Sequence, residues 1–264
     1  LSIPLPENWA EVTAKQFRSI FALLYCRFPA PAIAKIRTDL VARLLGNRKI
    51  FRQLDSVHIY DISNAVRFLW ETSCPIAYLP SFRLNFSRYY LPESHLYNAS
   101  FIEFIYADAF LAGLGVQEGE EINQDLLDQL VATLCRPQKF AWWFRKRLPS
   151  NDGDNRQKFN PALMKARAKK FRRLPLRWKL YVLAFFIACK HEIINNPDYN
   201  RIFPREKKKD FEEQQGGGWV QLLKDVASTR LYGNYDETAY YNLHTILTNL
   251  QDELVRQEKL NTKK

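Results

Sequence analysis

The chain has 264 residues, of which 47% are hydrophobic and 14% aromatic, and its formal net charge is +11. This composition excludes a disordered chain, and the length suffices for one large domain or for a main domain with a smaller lobe. The longest apolar run, 180–189, is far shorter than a membrane-spanning helix requires. We therefore expect no membrane insertion.

The N-terminal residues and the cysteines indicate a reducing compartment. Residues 1–9 lack the basic and apolar regions of a secretory signal. The four cysteines are widely spaced and lie in or beside apolar stretches, which favours free buried thiols over a disulfide framework. We therefore expect a cytoplasmic protein.

The first third of the chain reads as helices behind an extended arm. Prolines make 1–12 an extended arm. Thr13 then begins a capping box that opens the first helix. A second helix is predicted over 31–45, with Gly46 at the position where a glycine ends many helices. Asp61 is the predicted cap of a third helix.

In the middle of the chain the spacing of apolar residues changes from that of a helix to that of a strand and back. From 76 to 91 apolar and polar residues alternate, which predicts a strand or hairpin. Ser100 and Glu103 form a second predicted capping box, at the start of an aromatic helix. Asn123 is the predicted cap of an amphipathic helix that ends before Pro137.

The last part of the chain alternates polar segments with helices. The polar stretch 149–160 is predicted to be a mobile loop or a sub-domain boundary. A basic helix over 161–173 and an apolar helix over 175–194 follow. Two further helices are predicted near 219–231 and 237–258.

The fold class that these elements predict is mainly α: a bundle-like helical domain with one short β-hairpin and a glycine-hinged helical segment at the C-terminus. We predict an N-terminal helical domain with its arm over 1–148 and a helical pair packed on it over 161–205. A flexible linker over 206–218, rich in charge and glycine, leads to the helical segment 219–264.

Charge is distributed unevenly along the chain. Residues 93–135 carry 8 acidic and no basic side chains, whereas 136–179 carry 15 basic and 2 acidic ones. Such asymmetry is typical of a surface directed at an anionic partner. The alternative is that the acidic and basic blocks face each other within one fold. The sequence leaves both interpretations open.

The basic block contains the predicted anion-binding site. On the helix 161–173, Lys165, Lys169 and Arg172 share one face at spacings of four and three residues, next to an apolar stripe. Arrays of this kind hold phosphate groups or acidic side chains. The candidate residues are Lys165, Lys169, Lys170, Arg172, Arg173, Arg177, Arg145, Lys146 and Arg147, and Arg167 and Lys179 are expected to widen the patch.

The glycine-hinged C-terminal segment is the predicted docking surface for a protein partner. A helix with an apolar face can lie in a groove of a neighbouring subunit. The candidate docking residues are Trp219, Leu243, Leu247, Leu250 and Leu254. If this prediction is right, deletion of 219–264 abolishes partner binding and leaves 1–205 folded.

Catalytic and metal-binding patterns are missing from the sequence. His191-Glu192 begins the pattern of a zinc protease, but Asn195 stands where the second histidine is needed. The glycines do not have the spacing of a phosphate-binding loop, and no nucleophile elbow occurs. We expect no enzymatic activity, cofactor or metal. Ionisable groups clustered in a water-shielded hollow would contradict this expectation.

Four parts of the chain are similar to known sequences: LPENWAEVTAKQF (Leu5 to Phe17), LDQLVATLCRP (Leu127 to Pro137), KFRRLPLRWKLYVLAFFIACKHEI (Lys170 to Ile193) and the closing part from Trp219 through GNYDETAYYNLHTIL (Gly233 to Leu247). Together they resemble proteins encoded in the tail-morphogenesis gene clusters of phages and prophages. They are helix-packing phrases, so no catalytic residue is carried over by the resemblance.

The resemblance implies a structural or assembly role in a phage tail or a related particle. The protein would be a virion-associated adaptor, or an assembly factor that grips a helical partner such as a tape-measure protein. The alternative is a nucleic-acid-binding protein that uses the basic region 136–179. The sequence leaves the oligomeric state open.

Overall fold

A computed structural model describes residues 5–8, 11–25, 33–71, 81–114, 122–140, 142, 147, 154–203 and 217–261. Helices dominate these residues and one small antiparallel sheet accompanies them, so the predicted mainly α class is confirmed. In chain order the helices and strands are α1 (Ala14–Tyr25), α2 (Ile33–Leu45), α3 (Arg48–Phe51), α4 (Ser56–Ala65), α5 (Phe68–Glu71), β1 (Ser81–Leu84), β2 (Ser87–Tyr90), α6 (Phe101–Gly113), α7 (Gln124–Leu134), β3 (Arg136–Pro137), α8 (Pro161–Phe171), α9 (Leu176–Asn195), α10 (Gly217–Ser228), α11 (Tyr235–Ala239) and α12 (Leu243–Asn261).

The chain divides into two compact units, at other positions than the predicted boundaries. Unit 1 comprises 1–79 and 175–185, and unit 2 comprises 80–174 and 186–264. The predicted helical pair 161–205 therefore contributes residues to both units. Most of the predicted linker lies outside the described residues, but its last two glycines belong to α10.

Unit 1 begins with the helix that the sequence predicts. The backbone N–H of Thr13 donates to the Gln16 side chain at 3.0 Å, and the N–H of Gln16 donates to Oγ of Thr13 at 3.3 Å. This is the reciprocal capping box. The buried rings of Phe17 and Phe21 then meet Tyr181 of α9 edge-on, with centroid distances of 5.5 and 5.6 Å. These three rings form an aromatic centre for unit 1.

The predicted ends of the next helices are partly right. Gly46 follows α2 with a φ of +61°, the left-handed conformation that favours glycine after a helix. The cap of α4, however, is Asp55 and not Asp61, which lies inside the helix. An Asp55 carboxylate oxygen accepts the backbone N–H of His58 at 2.8 Å. The helix begins at Ser56 because Asp55 already accepts one of its first backbone N–H groups.

The predicted hairpin is present within unit 2. Strands β1 and β2 pair antiparallel, with Phe82 opposite Tyr89, and the turn contains Asn85 at a φ of +54°. The sequence did not predict β3, whose Arg136 pairs with Tyr90. A strand of two residues directly after a helix is too short to show the alternation of apolar and polar side chains that predicts a strand.

Helix α8 closes the hydrophobic face of this hairpin. The Phe171 ring lies 4.9 Å from that of Tyr89 and 5.7 Å from that of Phe82, centroid to centroid. Helices α7 and α8 also pack against each other. Their contact brings the end of the acidic block beside the basic block.

The C-terminal helices are part of the core of unit 2. Trp219 of α10 is buried against Phe104 and Phe203, at centroid distances of 4.5 and 5.5 Å. The helix predicted over 237–258 is interrupted, because α11 ends at Ala239 and α12 begins at Leu243.

A candidate anion-binding helix and a buried ion cluster

Helix α8 presents the predicted basic site on a firmly anchored scaffold. The side-chain oxygen of Asn160 accepts the backbone N–H groups of Ala162 and Leu163, at 2.9 and 3.1 Å, and so caps the helix. Met164 and Phe171 are buried on its inner face. The opposite face is therefore held in a fixed orientation towards solvent.

Most of the predicted cations are exposed in or beside this helix, where they form what we call the α8 basic face: Lys165, Lys169, Lys170, Arg172 and Arg173. Of these, only Arg172 forms an ion pair with another described residue. Arg177 and Arg147 are also exposed, but Arg177 belongs to unit 1. Arg145 and Lys146 lie outside the described residues.

Two cations that were expected to widen the patch are buried. Arg167 is 6% exposed and donates from Nε to the carbonyl oxygen of Ala132 at 3.2 Å. Desolvation, followed by the nearby charge of Arg136, lowers the pKa of Arg167 to about 10. Lys179 is 4% exposed, in unit 1. Both predictions were wrong because the sequence pattern does not show which side of each helix is covered.

The acidic and basic blocks also contact each other directly. Arg172 and Asp125 of α7 form an exposed ion pair at 3.0 Å. A groove of about 310 Å³ lies between the two helices, lined in part by Asp125, Gln129, Lys165 and Lys169. Part of the basic block therefore faces acidic residues within the fold, and part faces solvent.

The predicted docking residues of the C-terminal segment are largely used inside the protein. Trp219, Leu243 and Leu247 are each at most 1% exposed. Leu250 and Leu254 are half-buried. The first three side chains cannot form a free surface, because they already fill the core of unit 2. Deletion of 219–264 would remove that core, so the deletion is not a clean test of partner binding.

An ion cluster that the sequence did not predict lies buried in unit 2. We call Glu103, Arg136, Asp154 and Arg156 the buried ion cluster. Arg156 donates to Glu103 at 2.6 Å and to Asp154 at 2.9 Å, and Arg136 donates to Glu103 at 2.6 Å. Each of the four residues is at most 9% exposed.

The cluster joins segments that are distant in sequence. Glu103 is on the first turn of α6, Arg136 is in β3, and Arg156 lies in the stretch predicted to be a mobile loop. Arg156 also donates to the carbonyl oxygens of Leu134 and Asn98, at 3.0 and 3.1 Å. The described part of the predicted loop, from 154 onward, is therefore tied to the core.

The sequence offered a misleading signal for this cluster. Ser100 and Glu103 have capping-box spacing, but Ser100 makes no side-chain cap hydrogen bond and Glu103 binds the two arginines instead. Asp154 and Arg156 stand in a polar stretch that reads as solvated. The remaining indication in the sequence was Arg136, which follows the amphipathic helix α7 after one residue.

The cluster bears on the question of catalysis, because its ionisable groups line a cleft. Both carboxylate oxygens of Glu103 and of Asp154 accept hydrogen bonds from guanidinium groups. Arginine does not deprotonate in proteins, and the paired carboxylate oxygens are occupied where a general acid or base would need them for a substrate. Guanidinium groups therefore hold both carboxylates of the cluster in ion pairs.

The described residues contain no group of three or more side chains that could hold a metal ion. Among the helices of the described segments, none combines the length and the apolar character needed to cross a membrane. Comparisons with protein-family models, curated proteins and solved structures find no match to this chain.

Proposed function

We propose that this chain is a non-enzymatic interaction protein that binds an acidic protein partner through the α8 basic face. The observation that carries the proposal is the exposure of these cations on an anchored helix. Lys165, Lys169, Lys170 and Arg173 make no ion pair within the described segments. Cations that the fold does not use are available to a partner.

A protein partner suits this surface better than a nucleic acid. The carboxylate of Asp125 is 67% exposed and lies beside Arg172 at the edge of the groove. A phosphate backbone that followed the basic residues would pass this negative charge, which repels it. A protein segment can carry acidic side chains for the lysines and a polar or basic one for Asp125.

The resemblance to tail-morphogenesis proteins supports a more specific role. We propose that the partner is a subunit of a phage-tail-like particle, such as a tape-measure protein, and that this chain is a component or an assembly factor of the particle. With Trp219, Leu243 and Leu247 buried in the core of unit 2, these three side chains take no part in the proposed docking surface.

The test compares two triple variants with equal loss of charge. The first, Lys165→Gln, Lys169→Gln and Arg173→Gln, removes cations of the α8 basic face. The control, Arg83→Gln, Lys224→Gln and Lys259→Gln, removes exposed cations elsewhere in unit 2. Binding is measured by fluorescence anisotropy to purified tail proteins encoded in the same genome, and to a DNA duplex, across a range of salt concentrations.

We expect the first variant to bind a tail protein about tenfold more weakly than the wild type and the control to bind nearly normally. Equal weakening in both variants would refute a specific role for α8. Tight binding of the duplex alone, with affinity falling steeply with salt and lost in the first variant, would replace the proposal with the nucleic-acid alternative.

A further inference from the structure

A polar cleft of about 260 Å³ opens beside the buried ion cluster in unit 2. The four residues of the cluster form part of its lining. Lys139, Lys158, Tyr240 and Asn242 contribute further walls. The cleft lies apart from the groove between α7 and α8, with which it shares no lining residue.

Backbone hydrogen bonds fix the walls of this cleft. The N–H of Phe101 donates to the carbonyl oxygen of Tyr241 at 2.9 Å, and the N–H of Leu243 donates to that of Ala99 at 3.0 Å. These bonds tie the start of α6 to the segment between α11 and α12. The backbone around the cleft is therefore held in place.

The cleft has an excess of positive charge. The two arginines and two carboxylates of the cluster cancel formally, so Lys139 and Lys158 leave the lining at +2. The Lys158 ammonium lies 4.3 Å from the centre of the Tyr240 ring and makes no ion pair with another described residue. An anion in the cleft would meet these two cations at its rim.

Two hydrogen-bond donors in the lining have no partner among the described residues. Nε of Arg136 and Oγ of Ser100 are both buried and unpaired. Ser100 is also the N-cap residue of α6, where the helix carries a partial positive charge. Buried donors without acceptors are rare in folded proteins, and both of these residues line the same cleft.

We propose that the cleft binds an oxyanion, namely the phosphate or carboxylate group of a small molecule. Lys158 and Lys139 supply charge at the rim. Ser100 and Arg136 supply donors once their side chains turn towards the ligand, because both donor atoms are closed off from solvent in its absence. The N-terminus of α6 favours negative charge at the same place. Within the buried ion cluster, Glu103 and Asp154 neutralise the two arginines and hold them in position. The attraction for the ligand therefore comes from the lysines at the rim.

The experiment is isothermal titration calorimetry of the full chain with inorganic phosphate and with succinate, at constant ionic strength and near neutral pH. We expect saturable binding of at least one probe at millimolar concentration. Lys158→Gln should weaken it about fivefold, because one cation is lost from the rim. Lys224→Gln, which removes another exposed lysine of unit 2 that lies outside both this cleft and α8, should bind normally.

Binding of phosphate alone would identify a phosphate-bearing ligand, and binding of succinate alone would identify a carboxylate. Either result supports the proposal. It is overturned if neither probe binds saturably, or if the Lys158 and Lys224 variants weaken binding equally. These outcomes are independent of the proposed function, which is tested on α8 with a protein partner.

A second variant separates ligand binding from folding. Replacement of a helix N-cap serine by alanine normally destabilises the helix, but Ser100 makes no cap hydrogen bond. Ser100→Ala should therefore leave the denaturation midpoint nearly unchanged and weaken binding of the probe severalfold. Unchanged affinity in this variant would contradict the role of the hydroxyl as a donor to the ligand.

Discussion

Replacement of Arg156 by leucine tests whether the buried ion cluster stabilises unit 2. Arg156 is fully buried and donates to both carboxylates of the cluster and to two backbone carbonyl oxygens. In Arg156→Leu, Glu103 retains Arg136 as its only cation in the cluster, and the two backbone carbonyl oxygens lose this donor.

We expect Arg156→Leu to cause a large loss of stability. Removal of one partner of a buried ion pair costs about 3–5 kcal/mol of unfolding free energy, because the remaining charge stays buried without full compensation. The matched control is Arg172→Leu, whose ion pair with Asp125 has side chains 64% and 67% exposed. An exposed pair of this kind is worth at most about 1 kcal/mol.

A second substitution shows whether the buried charge of Glu103 causes the loss of stability in Arg156→Leu. In the Arg156→Leu background, Glu103→Gln removes the buried negative charge, so the double variant should be less destabilised than the sum of the two single variants. Urea denaturation followed by circular dichroism measures each midpoint and slope. The reasoning is refuted if Arg156→Leu costs no more than Arg172→Leu, or if the Arg156 and Glu103 changes are additive.

Three further predictions concern titratable groups of unit 2. Desolvation lowers the pKa of the half-buried His244 below 6.5, so the unfolded chain binds this proton more readily, and stability should fall as the pH drops through 6.5 towards the folded pKa. His244→Gln should flatten this dependence of stability on pH, and an unchanged dependence would contradict the assignment. Burial raises the pKa of Asp108, whose carboxylate lies 2.6 Å from the Lys190 ammonium. Lys190→Met should therefore destabilise the protein by an amount that grows as the pH rises above 3.8. Urea denaturation measures this, and a loss of stability independent of pH would contradict the prediction. Burial also raises the pKa of the Cys135 and Cys189 thiols, so a thiol reagent should label neither residue in the native protein, as checked by peptide mapping. Rapid labelling of either cysteine in the native protein would contradict this prediction.

Features that depend on neighbouring residues could be predicted from the sequence. The capping box at Thr13, the glycine after α2 and the hairpin of β1 and β2 follow from local hydrogen bonds, backbone preferences and alternation of side chains. The exposure of Lys165 and Lys169 follows from their place on a face next to an apolar stripe. Each of these patterns lies within about two turns of helix or one hairpin.

Features that depend on which surfaces meet could not be predicted in this way. The spacing of Ser100 and Glu103 fits a capping box, yet Glu103 binds Arg156, a residue 53 positions away. Trp219 follows glycines that suggested a free segment, yet its ring is buried against Phe104. In both cases a long-range partner outweighs the local pattern, because burial removes the competing interactions with water.

The sequence by itself therefore determined the mainly α class, the hairpin and a helix with cations on its outer face. Only the tertiary structure decided that Arg136, Asp154 and Arg156 are buried together while Lys158 stays at the rim of a cleft. The physical reason is that a charged side chain looks the same in sequence whether solvent or an opposite charge surrounds it. Its energy, and with it its role, is set by neighbours that only folding brings into contact.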